Sequence, residues 1–150
     1  YKQFDLSILL QGAANFDVYL SEEASWAFFN GGKVLKDHLG RAQIGTDGNV
    51  INTDATYPRL SITSATVNQR TSSYWLQAGD YMRLKNLEIG YTFPKQILNK
   101  IGVGSLRMYL NGRNLATWSG IKNLDPESPQ ARGRFYPQQK VYNLGINVQL

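Results

Sequence analysis

The last ten residues, Val141-Tyr142-Asn143-Leu144-Gly145-Ile146-Asn147-Val148-Gln149-Leu150, place apolar side chains at Tyr142, Leu144, Ile146, Val148 and Leu150. Asn143, Gly145, Asn147 and Gln149 fall between them, so the segment alternates with a period of two and carries no charge on either face. This predicts a strand with one apolar side and one polar side. Such a strand suits a membrane barrel, where lipid-facing and lumenal residues alternate, better than a soluble sandwich.

The pattern recurs upstream. From Asn86 to Phe93, Leu87, Ile89, Tyr91 and Phe93 share one face, and Asn86, Glu88, Gly90 and Thr92 the other; Pro94 ends the run. From Ser105 to Arg113, Leu106, Met108 and Leu110 alternate with Arg107, Tyr109, Asn111 and Arg113. Near the start, Phe4, Leu6, Ile8 and Leu10 alternate with Asp5, Ser7, Leu9 and Gln11, with Leu9 the one apolar residue on the polar face. Four strands are therefore predicted.

A chain of 150 residues is long enough for one soluble domain, and its 42% apolar content does not exclude that class. No segment approaches a transmembrane helix, which says nothing against a membrane barrel. Cysteine is absent, which removes disulfides and thiolate metal sites. No secretion signal opens the sequence, so an exported protein would have its start elsewhere. The formal charge of +5 is spread without a dense basic run. Arg107, Tyr109, Asn111 and Arg113 interleave basic and aromatic groups, but the greasy opposite face argues against a nucleic-acid surface.

Between the strands, Ser21 is placed to cap a short helix with Glu22 and Glu23 in its first turn, Trp26 and Phe29 on one face, and Asn30-Gly31-Gly32 as its stop. Residues 33–71 are broken repeatedly by Gly, Asp-Gly-Asn and Tyr-Pro signals and read as a long irregular loop. Ser72 to Gly79 reads as the start of the strand that continues, through a bulge near Ala78-Gly79-Asp80, to Phe93. Pro94 opens a short helix, Lys95 to Lys100, with Gly102 as its stop. The third strand runs to about Trp118, and Gly120 to Gln139, with Pro126, Pro129, Gly133 and Pro137, forms a second long loop. Long, short, long connections imply strands running up, down, up and down, with the long loops extracellular. Tyr91 and Phe93 then belong to the periplasmic girdle, and Tyr74, Trp75, Tyr81 and Trp118 lie nearer the outer rim.

Gly79-Asp80-Tyr81-Met82-Arg83-Leu84-Lys85-Asn86-Leu87-Glu88-Ile89-Gly90-Tyr91-Thr92-Phe93-Pro94 resembles the C-terminal region of the SusC/RagA family of TonB-dependent outer-membrane transporters. Leu106 to Leu115, Leu124-Asp125-Pro126-Glu127, Tyr136-Pro137, Phe4-Asp5-Leu6-Ser7 with Gln11-Gly12, and Tyr57-Pro58-Arg59-Leu60 carry the same likeness, which covers nearly the whole chain. The resemblance implies an all-β fold: the last four strands, with two long extracellular loops, of an antiparallel transmembrane barrel of about 22 strands. It implies that residues 1–150 are the C-terminal portion of that barrel, with the plug domain, the TonB box and the other strands absent. It further implies active import of oligosaccharides or peptides, energised through TonB, beneath a SusD/RagB-like surface lipoprotein. Family members commonly end in an aromatic residue, where this chain has Leu150. Four strands alone cannot close such a barrel, and open edges in lipid leave peptide groups unpaired, so a longer chain is expected.

No catalytic constellation, cofactor motif or metal-ligand spacing stands out. His38 is the only histidine, and Lys36-Asp37-His38 reads as a solvated polar stretch. Asp125 and Glu127 flank Pro126 and read as turn residues. Asp47, Asn49 and Asp54 lack the spacing of a calcium loop. The expected lumenal wall is Asp5, Asn86, Glu88, Arg107, Tyr109, Asn111, Arg113, Asn143 and Asn147, where cross-strand hydrogen bonding is the simpler role. The expected substrate contacts are Trp26, Phe29, Tyr57, Trp118, Phe135 and Tyr136 of the outer loops, against loop packing as the alternative. The competing class is a soluble β-rich carbohydrate-binding module, in which the faces of Leu87/Ile89 and Leu144/Ile146 would pack on each other. An adhesin-like barrel with no gated path is a third reading.

Overall fold

The computed structural model describes residues 2–62, 67–128 and 132–150. Its strands are β1 (Phe4–Ala13), β2 (Asp17–Tyr19), β3 (Leu76–Ala78) and β4 (Tyr81–Thr92); helix α1 (Lys95–Leu98) precedes β5 (Ser105–Ser119) and β6 (Val141–Gln149). The four long strands are those predicted by alternation. They form one antiparallel sheet in the order β1-β4-β5-β6. This sheet and its short connection make one unit; 17–78 and 121–136 make a second.

In the sheet unit, register follows the chemical faces. Ile8 opposes Leu87, Leu6 opposes Ile89, Ile89 opposes Leu110, and Leu110 opposes Leu144. On the other face Ser7 opposes Glu88, Glu88 opposes Asn111, and Asn111 opposes Asn143. A slip of one residue anywhere would exchange the faces, so the apolar pattern specifies the pairing. Leu110 is 62% exposed and Leu144 67% exposed. The Leu87/Ile89 and Leu144/Ile146 faces lie side by side on one sheet surface and do not pack on each other, as a sandwich core would require.

Two nested bulges interrupt this order. Leu9 and Leu10 are consecutive in β1, whereas their partners Asn86 and Leu84 are separated by Lys85; between Leu84 and Asn86, β5 carries both Asn114 and Leu115. Asn114 takes φ 52°, the left-handed conformation that asparagine tolerates better than most residues. The bulges change the parity of β4 alone, from Leu87 and Ile89 to Leu84 and Met82; β5 gains two residues and stays in phase. Leu10, Leu84 and Ala116 align, as do Gly12, Met82 and Trp118, so these residues stand on the apolar face. Asn114 Nδ2 donates to Gln139 O at 3.1 Å and Lys85 Nζ to Gln138 Oε1 at 3.0 Å, which ties the bulges to the chain entering β6.

At the other end, Pro94 caps α1, a 3-10 turn Asn99–Ile101 follows, and Gly102 terminates it at φ 69°. The expected helix and its glycine stop are both found. Leu98 is buried, and Phe4, Tyr91 and Phe93 form a run of ring contacts with centroids 4.7 and 5.0 Å apart at this end of the sheet.

The upstream extension of β4 is corrected. Ser73–Trp75 is a 3-10 turn and β3 pairs with β2 in a separate sheet, Tyr19 opposite Leu76. The strand breaks at Gly79-Asp80: Gly79 N donates to Phe16 O at 2.8 Å and Asp80 Oδ1 accepts from Asn15 N at 2.8 Å. A Cβ on Gly79 would overlap the Phe16 ring, so a side chain there would expel it. The helix after Ser21 is likewise only a 3-10 turn, Glu22–Ala24, without a Ser21 side-chain cap. Glu22 adopts φ 54°, which stops a right-handed helix at its first residue.

Candidate functional site

On the polar face of the sheet six of the nine expected wall residues form one connected network. Arg107 Nε donates to Asp5 Oδ1 at 3.1 Å and its Nη2 to Asp5 Oδ2, while Nη2 also donates to Glu88 Oε1 at 2.8 Å. Asn111 Nδ2 donates to Asn86 Oδ1 at 2.7 Å and to Glu88 Oε2 at 3.3 Å, and Asn143 Nδ2 donates to Asn111 Oδ1 at 3.4 Å. The chain of contacts therefore crosses all four strands. Arg113 opposes Asn86 and Asn147 opposes Arg107, so both belong to this face by register.

Two glycines make room for it. Asp5 lies on β1 and Arg107 on β5, and Gly90 of β4 separates them; a Cβ there would lie 2.6 Å from both Asp5 carboxylate oxygens. Gly145 lies under Tyr109, whose ring stands 5.1 Å from the Arg107 guanidinium carbon in a cation–π arrangement. Gly90→Val is expected to part Arg107 from Asp5 and lower the urea midpoint of the assembled barrel. Asp5→Asn, which keeps the shape and one acceptor, should lower it less, and equal midpoints for wild type and Gly90→Val would show that the network does not hold the wall.

In the loop unit, three of the six expected substrate aromatics meet in a packed cluster. Trp26 contacts Phe29 at 5.5 Å and Trp75 at 6.5 Å between ring centroids, and Tyr57 contacts Trp75 at 5.9 Å and Tyr74 at 6.4 Å. The adjoining cleft, bounded by Trp26, Tyr57, Pro58 and Asn68, holds about 20 Å³, room for about one water and none for a sugar ring. Packing is thus what these rings do in the described residues. Phe135 and Tyr136 differ, at 49% and 87% exposed. Trp118 does not lie in a loop: it is within β5 on the apolar face, where an indole suits the membrane interface.

His38 corrects the reading of a solvated stretch. It is 2% exposed, its Nδ1 accepts from Leu35 N at 3.0 Å, and its Nε2 therefore carries the proton donated to Ser25 O at 2.9 Å. Tyr57 Oη donates to the same carbonyl at 2.6 Å and its ring lies 4.4 Å from the imidazole. Burial pushes the Tyr57 hydroxyl up to about 12, so it stays a donor at neutral pH. This pin was missed because a lone histidine among charged neighbours gives no burial signal.

A second tie was also missed. Arg134 Nε donates to both Glu23 carboxylate oxygens at 3.1 and 3.2 Å, Arg134 Nη2 lies 2.9 Å from Glu22 Oε2, and Arg132 Nε lies 3.3 Å from Glu22 Oε1. Gly133 between them takes φ 80° and packs against the Ala24 backbone. The Glu23 backbone N–H and then Arg134 hold the Glu23 carboxyl below the usual glutamate range. A depressed carboxylate contributes its stabilisation above the unfolded-state value and loses it as pH falls through the folded one. Protease cleavage within 121–136 in the intact protein should therefore be slow at neutral pH and speed up only below the ordinary glutamate range. Cleavage independent of pH would contradict the clamp.

Asp125 behaves as a turn residue, its Oδ1 accepting from Glu127 N at 3.0 Å; Pro129 lies outside the described residues. Asp47 accepts from Asn49 N and Nδ2 at 3.1 and 2.8 Å, closing a local turn. Among the described residues no cluster of His, Asp and Glu could hold a metal.

An open-edged antiparallel sheet with one uncharged, exposed apolar face, one hydrogen-bonded polar face, a run of aromatic rings at one end and Trp118 toward the other defines a segment of outer-membrane-barrel type. No family model matches the sequence. Two TonB-dependent receptors of Formosa agariphila, P3 and P26, are 28% identical over 89% of the chain and 29% identical over 99% of it. The chain spans only 15% and 16% of their lengths. A structure of the RagAB peptide importer in its closed-closed state aligns at TM-score 0.70 and 26% identity, over 99% of the chain and 16% of the solved one. Another, of the RagAB peptide transporter, aligns at TM-score 0.72 and 24% identity and supports the fold. The chain is SusC/RagA-like, similar to the C-terminal region of a TonB-dependent transporter, and its location is the outer membrane.

Proposed function

We propose that residues 1–150 are the last four strands and two outer loops of a TonB-dependent nutrient importer, whose barrel of about 22 strands is completed by a longer chain. The plug and the TonB-contacting segment belong to that remainder. The observation that carries this reading is the likeness of 99% of the chain to a TonB-dependent receptor about six times its length. The substrate is an oligosaccharide or a peptide; the peptide importer among the solved relatives supports the second. The same two-component complex supports a SusD/RagB-like lipoprotein as partner, seated over the outer loops.

In this reading the polar network from Asp5 to Asn143 is wall, satisfied across strands and facing the lumen. Trp26, Phe29 and Tyr57 hold the loop unit together, and Phe135 and Tyr136 are the aromatics left to meet substrate or lipoprotein. Trp118 anchors the outer rim. The test is affinity purification of the full-length protein from detergent-solubilised outer membranes, followed by uptake of labelled peptides and oligosaccharides by cells with and without a protonophore. Co-purification of a surface lipoprotein and protonophore-sensitive uptake support the proposal. Uptake that ignores the protonophore would overturn it.

A further inference from the structure

The apolar face of the sheet is not evenly filled. Beside Gly112 of β5 lies a notch of about 410 Å³, walled by Leu87, Ile89, Leu110, Leu115, Tyr142 and Leu144. Leu115, one of the two residues of the β5 bulge, leans back over Gly112 and takes the place of a side chain there, where a Cβ would come within 2.7 Å of its Cδ2, so the bulge supplies one wall of the notch. Tyr142 and Leu144 belong to the loop-side half of β6, so the notch opens toward the leaflet next to the long loops. Cations stand at that end. Lys140 directly precedes β6, and Lys85 Nζ reaches Gln138, two residues before Lys140. From Gln138 to Leu150 the sequence has no carboxylate.

We propose that this notch seats one acyl chain of the phosphorylated glycolipid of the outer leaflet, with its anionic phosphates against Lys85 and Lys140. The inference rests on the outer-membrane location and on the long loops being extracellular. Apolar lining selects the chain, and the charge at the loop-side end selects an anionic headgroup over a zwitterionic one. A wall this concave holds a chain longer than flat neighbouring surface does, because more of its methylene groups leave the moving lipid for fixed partners.

The test uses the full-length protein, purified and exchanged into vesicles of phosphatidylethanolamine containing a small fraction of purified lipid A, then released in mild detergent for native mass spectrometry. Heat-modifiable mobility on a gel first establishes that each variant is a folded barrel, so failure of the barrel reading shows separately. Wild type should retain lipid A, Leu144→Trp or Leu110→Phe should lose it by filling the notch, and Leu6→Phe elsewhere on the face should not. Lys85→Gln and Lys140→Gln should each weaken retention about fivefold. Retention of phosphatidylethanolamine instead, or equal lipid A on wild type and both notch-filled variants, would overturn the assignment. If one filling variant fails to fold, the other decides; if neither folds, loss of wild-type retention in Lys85→Gln/Lys140→Gln supports the site and its absence refutes it.

Discussion

Leu144→Arg is expected to remove most of the folded barrel from the outer membrane, whereas Asn143→Arg, one residue away, leaves it largely in place. Leu144 stands on the exposed apolar face opposite Leu110; Asn143 stands on the network face opposite Asn111. An arginine turned to lipid near the middle of a barrel wall costs about 2–4 kcal/mol, and one turned to a hydrated lumen costs little. Against a marginal total stability of about 5–15 kcal/mol, the first loss is large. The comparison is read from heat-modifiable mobility and from the urea midpoint of the full-length protein in each variant. Equal losses would remove the distinction between the faces, and a greater loss at Asn143 would reverse it.

Trp75→Ala should have the largest effect in the loop unit. The indole is buried, lies 4.7 Å from Tyr74, donates through Nε1 to Asn68 O at 3.2 Å, and its carbonyl accepts from Leu20 N at 2.9 Å. Truncating a buried tryptophan costs about 3–5 kcal/mol, enough to open a loop assembly of this size most of the time. Protease added to intact cells should cut within 17–78 at least about a hundredfold faster in the variant, while the barrel keeps its heat-modifiable mobility. An unchanged cutting rate would mean that the aromatic cluster does not hold the loops.

The four long strands were legible because each has to separate an apolar from a polar face, and a period of two survives in the residues themselves. Which residues share a face within each stretch was legible for the same reason. What alternation hides is a change of phase: across Lys85 in β4 the apolar face passes from odd positions, Leu87 and Ile89, to even ones, Leu84 and Met82, whereas β5 inserts two residues, Asn114 and Leu115, and stays in phase as far as Trp118. The wall network was legible as a set of polar positions, but not the path of Arg107 over Gly90 to Asp5, which joins strands that are not sequence neighbours. In the loops, where no period exists, turn signals located the breaks at Asp47-Gly48 and Asp125-Pro126. They could not show that Ser73–Trp75 is a 3-10 turn and no part of β4, that His38 is buried, or that Glu22-Glu23 meets Arg132-Gly133-Arg134, since each depends on contacts distant along the chain.

Membership of this sheet in a larger outer-membrane transporter has a consequence for size. Its most direct test is the intact mass of the native polypeptide carrying this sequence, taken from purified outer membranes. A detergent-requiring protein several times the mass of a 150-residue chain is expected. A mature species of 150 residues, soluble without detergent, would contradict it.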